Sequence, residues 1–210
     1  MNDGVMVFSG LGGASLAVAL ALVLAGLAGV TADTPAFWYF SRASGLVAYG
    51  LLWGSVVAGL LLSGRQLRQV IPPALAMEAH RVLSGMALGF SAFHALVLVG
   101  DRYIGFTLVT LLIPLSGSFE PLWVAGGQLS LCLLAALFAS SVWRLRLGNA
   151  TWRALHYAAF AAYWLALAHA LVLGSEATHP AVGLFYIVTG GTVLWLTNVR
   201  ILCRDVKRGG

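Results

Sequence analysis

Charge is scarce in this sequence. Only 9% of its 210 residues are Asp, Glu, Lys or Arg, against about 25% in an ordinary soluble domain, so lipid rather than water is its main solvent. Cysteine is nearly absent too. Cys132 falls inside one apolar run and Cys203 at the end of another, at depths too different for a disulfide. No Cys-x-x-Cys-His occurs, which excludes ordinary covalent c-type heme attachment. A Gly-x-Gly-x-x-Gly turn after a strand, a phosphate loop and Gly-x-Ser-x-Gly are also missing, and with them the commonest soluble-enzyme chemistries.

What remains is apolar: 60% of the residues are hydrophobic and the mean hydropathy is +0.91. Spans near the roughly 20 residues that a membrane helix needs run approximately over 9–30, 39–63, 77–99, 123–145, 152–173 and 180–202. The expected fold is therefore an all-α integral membrane bundle of six helices, one domain over 1–210. The first span lacks the basic start of a secretory signal and is long for its apolar part, so it reads as a membrane helix; Val30-Thr31-Ala32 is a tolerable cleavage site. Little room is left for a soluble domain. Chemistry that needs a nucleotide or flavin fold is expected of a partner.

The sequence pI near 9.7 reflects topology rather than a nucleic-acid partner. Arg65, Arg68, Arg81, Arg144, Arg146, Arg153, Arg200, Arg204, Lys207 and Arg208 all fall on one side of a six-span arrangement. Arg42 and Arg102 fall on the other, with Asp33, Asp101, Glu120 and Glu176. The positive-inside rule then places both termini in the cytoplasm.

Against this background four histidines stand out. His80 and His94 lie in the third span, His156 and His169 in the fifth. Intramembrane histidines usually face a bundle interior and bind something there. The two spans run in the same direction, so His80 comes level with His156 near the cytoplasmic face, and His94 with His169 towards the outer face. The two levels are roughly 20 Å apart along each helix. Two imidazoles at each level suit axial ligation of a b-type heme. The plainer alternative is four imidazoles bonded to carbonyls or hydroxyls in a packed interface. Met77 and Met86 are alternative axial ligands by residue type, though methionine more often packs. His179, before Pro180, stands off the pattern and is expected in solvent.

Helical phase supports one pair better than the other. Fourteen residues is close to four turns, which puts His80 and His94 on one face within about 40°. The 13-residue spacing leaves His169 about 140° from His156 on an ideal helix. A π-bulge, a bend or ligation from the flank is needed there. Small residues (Ser84, Gly85, Gly89, Ala92, and Ala158, Ala159, Ala161, Ala162) permit close approach of a flat ligand, or simply of another helix. Phe90, Phe93, Phe160, Tyr163 and Trp164 lie between the levels. Arg81 and Arg153 adjoin the inner histidines and Arg42 stands at the outer side, where each is a candidate for holding heme propionates. Glu78 is the acidic side chain nearest an inner ligand. Its plainer role is pairing with Arg81.

With these residues together, the chain resembles a ferric-reductase-type transmembrane domain over roughly 37–175. That superfamily includes ferric reductases, NADPH oxidases and the heme-binding membrane subunit of the bacterial periplasmic methionine sulfoxide reductase system. The likeness rests on Arg42-Ala43-Ser44-Gly45, on His80-Arg81 with His94, and on Trp152-Arg153-Ala154-Leu155-His156 followed by His169. The segment from Ile113-Pro114 through Pro121-Leu122-Trp123-Val124 is similar to the apolar outer loop of small bacterial members. The resemblance implies two stacked b hemes, the inner on His80 and His156 and the outer on His94 and His169. It also accommodates the awkward 13-residue spacing. Arg42 matches an arginine that lies near the outer heme in the oxidases. Unlike the larger members, this sequence carries no FAD- and NADPH-binding extension.

The expected function is electron transfer across a bacterial plasma membrane. The donor is a cytoplasmic flavoprotein or a quinol, a quinone being in that case a further bound cofactor, and the acceptor is extracytoplasmic. The alternatives are a non-catalytic anchor of a larger redox or photosynthetic complex, and a small transporter with a histidine proton relay.

Overall fold

The computed structural model describes residues 36–63, 72–100 and 105–205, the side chains of 36 and 203–205 excepted. Every regular element among them is helical. In chain order these are α1 (Ala36–Ser63), α2 (Pro73–Val97, extended by a 3-10 turn over Leu98–Gly100), α3 (Leu108–Leu112), α4 (Pro121–Val142), α5 (Arg144–Leu147), α6 (Asn149–His156), α7 (Ala158–Leu173) and α8 (Pro180–Asp205). Five helical stretches are long and apolar enough to cross a bilayer: 37–63, 73–100, 121–142, 149–173 and 180–202. This is the character of a multi-pass membrane protein. The expected span 9–30 lies outside the described residues, as do Arg65, Arg68, Arg102, Lys207 and Arg208.

Proline fixes several of the boundaries. Pro73, Pro121 and Pro180 each open a helix, because the first turn has no use for the N–H that proline lacks and its φ is already helical. Two expected starts, 77 and 123, accordingly move earlier in the structure. The fourth expected span stops at Val142 rather than 145. Trp143 leaves the helical region, the short α5 follows, and Gly148 at φ 78° turns the chain into α6. The connection between α2 and α4 contains an element the sequence did not announce. Thr107 and Thr110 form a reciprocal capping box, which satisfies the first donors of α3.

Packing pairs the helices. α2 lies mainly against α1 and α4 mainly against α7, while α1 also meets α7 and α8. The histidines lie on α2, α6 and α7, and neither α6 nor α7 is in extensive contact with α2. Tyr49, Leu52, Val56, Leu60, Ala87, Tyr163, Leu167, Tyr186 and Val193 form the shared core. Lipid is as apolar as these side chains, so close packing and interhelical hydrogen bonds carry the association. Ser130 donates to the Ala162 carbonyl at 2.8 Å, joining α4 to α7. Tyr49, Tyr163 and Thr189 join α1, α7 and α8 through hydroxyl contacts of 3.0 and 2.6 Å. Large apolar side chains such as Val82, Leu129, Ile187 and Trp195 are exposed, as a lipid-facing surface requires.

Candidate histidine site

The four histidines meet in the two expected pairs. The ring centres of His80 and His156 are 6.0 Å apart with planes at 73°. Those of His94 and His169 are 6.2 Å apart at 82°. The helical-phase difficulty is resolved by an interruption. α6 ends at His156, α7 begins at Ala158, and the Tyr157 N–H reaches back to the Ala154 carbonyl in a tightened turn. A single uninterrupted α-helix would leave His156 and His169 on different faces; the break at Tyr157 lets both oppose α2.

Three of the rings are held from behind by backbone carbonyls. The His80 Nδ1–H donates to the Ser55 carbonyl at 2.8 Å and lies near the Ser55 hydroxyl at 3.2 Å. The His94 Nδ1–H donates to the Ser41 carbonyl at 2.8 Å, with the Ser41 hydroxyl at 3.3 Å. The His169 Nδ1–H donates to the Trp123 carbonyl at 2.9 Å. A carbonyl only accepts, so each of these nitrogens carries the proton and each Nε2 keeps its lone pair. Among the described residues no Nε2 of the four has a hydrogen-bond partner, and none is sealed away from its surroundings.

Glycine makes these close approaches possible. A Cβ at Gly45 would stand 3.0 Å from the His94 Nδ1, one at Gly59 would stand 3.3 Å from the His80 Cε1, and one at Gly127 would stand 2.7 Å from the His169 Nδ1. Gly45 lies one turn after Ser41, Gly59 one turn after Ser55, and Gly127 one turn after Trp123. Each seat thus consists of a carbonyl at one position and a bare Cα four residues on. Beside the last of them, the Gln128 amide donates to the Thr110 and Leu111 carbonyls, both at 2.7 Å. That contact fixes α3, in the connection between α2 and α4, against α4.

These seats fit a bis-imidazole metal group. With metal–imidazole bonds of about 2 Å and about 1.2 Å more from each nitrogen to its ring centre, a bridged pair has ring centres about 6.4 Å apart. Both observed separations lie within half an ångström of that. A second-nitrogen bond to a carbonyl is also the usual support for a metal-bound histidine. Among the described residues no three His, Cys, Asp or Glu side chains gather. Each level therefore offers two donors, which suits a macrocycle that brings its own four nitrogens. Interface packing alone accounts for the carbonyl bonds, but not for two imidazole couples formed between helices that are not in extensive contact.

The remaining candidates are dispersed. Arg42 forms an ion pair with Glu176 and stacks over the Trp38 ring at 3.9 Å. Arg81 is exposed on α2. Arg153 is exposed and its Nε donates to the Asn149 carbonyl on its own helix at 3.3 Å. His179 is exposed, as expected. Residues that sequence reasoning passed over include Ser55, Gly59 and Gly127 behind the rings, and Arg144, whose guanidinium lies 4.4 Å over Trp152, itself stacked on His156. No family model matches the chain, and no curated protein or solved structure matches it either.

Proposed function

We propose that the chain carries electrons across a membrane through two b-type hemes, one held by His80 and His156 and the other by His94 and His169. The observation that carries this reading is the pair of imidazole couples, 6.0 and 6.2 Å between ring centres, with three of the four rings held by carbonyls so that Nε2 is the nitrogen left free. When bound, each heme would supply a one-electron carrier, and two histidines to hold it at each level would suit electron transfer rather than oxygen binding. The protein's own residues hold three of the imidazoles, fix the tautomers of those three and surround the region between the levels with a packed core of low polarity. Arg42 carries a positive charge beside Ser41, whose carbonyl supports His94.

The reading includes a six-span topology with both termini cytoplasmic and places the protein in a bacterial plasma membrane. The donor is a cytoplasmic flavoprotein or a quinol at the His80–His156 level. The acceptor is extracytoplasmic at the His94–His169 level. The likeness to ferric-reductase-type domains supports the same arrangement through Arg42-Ala43-Ser44-Gly45, His80-Arg81 and Trp152-Arg153-Ala154-Leu155-His156.

Vesicles loaded with ferricyanide test this directly. Purified chain in their membrane is expected to pass electrons from an external reductant to the trapped oxidant. His80→Leu and His94→Leu are each expected to stop that transfer. Transfer that survives both substitutions would count against the proposal.

A further inference from the structure

Three rings share one kind of seat and the fourth does not. On α1 the seat occurs twice, as Ser41 with Gly45 and as Ser55 with Gly59, a step of 14 residues that matches the His80-to-His94 spacing on α2. On α4 it occurs as Trp123 with Gly127, behind His169. The same 14-residue step along α4 arrives at Leu137 and Ser141, and there the pattern breaks. Ser141 brings a side chain where the other seats have none. The Leu137 carbonyl already accepts from the Ser140 and Ser141 hydroxyls at 2.8 and 2.9 Å.

His156 is correspondingly untethered. Its Nδ1 is sealed from solvent and has no hydrogen-bond partner. The main ring support comes from its own chain segment: Trp152, one turn earlier, stacks on it at 4.8 Å and 27°. The Trp152 indole N–H in turn donates to the Ser141 hydroxyl at 3.4 Å, which marks Ser141 as belonging to this level. His156 is also the last residue of α6, at the helix interruption.

We infer that His156 is the exchangeable ligand of the four. The His80–His156 level opens a coordination position to a small neutral ligand of ferrous iron such as carbon monoxide, while the His94–His169 level stays closed. This rests on the proposed heme ligation. When a metal bond to His80, His94 or His169 breaks, the carbonyl keeps the ring in place and the bond re-forms. Nothing equivalent holds His156, and its sealed N–H gains a partner only by moving away. The exchange breaks one iron–nitrogen bond and forms one iron–carbon bond. No electron or proton changes hands.

Carbon monoxide titration of the reduced, heme-loaded full chain tests the inference, with heme quantified per chain and uptake read from the difference spectrum. Uptake by one of two hemes is expected. Ser141→Gly supplies the missing bare Cα and removes one competitor for the Leu137 carbonyl, and is expected to slow uptake about tenfold. Ser141→Ala, which keeps the Cβ, is expected to slow it less. His156→Gly assigns the level. If that variant keeps two hemes it should still bind one carbon monoxide, and if it keeps one heme it should bind none. Two equivalents in the first case, or one in the second, would overturn the assignment. Two hemes with no uptake in the unsubstituted protein would overturn the inference and leave the electron-transfer reading standing. A folded protein without heme would overturn both.

Discussion

The Nδ1–H of His94 donates to the backbone carbonyl of Ser41 at 2.8 Å. That bond reaches from α2 to α1 and settles which nitrogen of the ring is left for a ligand. It depends on Gly45, one turn along, where a Cβ would come within 3.0 Å of the same nitrogen.

Glycine substitutions should therefore act on heme content before they act on folding. Gly127→Ala puts a methyl group 2.7 Å from the His169 Nδ1, closer than such contacts allow, so the ring must shift. An overpacked site of this kind costs about 1–3 kcal/mol. We expect the variant to remain folded and to lose the heme of the His94–His169 level, read as a fall from two hemes per chain to one. Gly191→Ala, where a Cβ meets open space, should leave the content at two.

The two levels should fail independently. Fourteen residues along α2 separate His80 from His94 by roughly 20 Å, with the packed core between them. His80→Leu and His94→Leu are each expected to remove one heme and keep the spectrum of the other. Loss of both hemes from either variant would show that the levels are not separate sites.

The likeness between sequence and structure is uneven for physical reasons. The pairing of the histidines was legible because membrane helices convert residue number into depth with little freedom. The 13-residue gap between His156 and His169 even signalled an irregularity, which the structure shows at Tyr157. The carbonyls of Ser41, Ser55 and Trp123 were not legible, since every residue owns a carbonyl and only packing decides which ones are used. The twice-repeated Ser-x-x-x-Gly of α1, in step with His80 and His94, was a readable trace of them. Arg42 stood out in the sequence as an arginine on the sparsely basic side, but its partner Glu176 lies far along the chain and follows only from the fold.

That ion pair predicts opposite effects on redox potential. Arg42→Ala removes positive charge near the His94–His169 level and should lower the midpoint potential of that heme. Glu176→Gln removes the opposing charge and should raise it. Both groups are partly exposed, at 25% and 46%, so stability should change by less than about 1 kcal/mol in either variant. Redox titration followed by the heme spectrum reads the signs, and equal shifts in the same direction would contradict them.

Midway between the levels, Tyr49 lies 2.6 Å from the Thr189 hydroxyl and 3.0 Å from that of Tyr163. Thr189 directs its own hydroxyl proton to carbonyls of its helix, so Tyr49 donates to Thr189 and Tyr163 donates to Tyr49. Tyr49→Phe removes both bonds. Interhelical hydrogen bonds in membranes average about 0.6 kcal/mol and reach about 1.7, so a loss of about 1–2 kcal/mol is expected. Thermal unfolding in detergent should show it, with heme content unchanged.

The central claim is two hemes held by four named imidazoles, and the most direct measurement is a dithionite-reduced minus oxidised absorbance spectrum of the purified protein with heme quantified per chain. Two low-spin b hemes per chain are expected. Fully folded protein with no heme would contradict it.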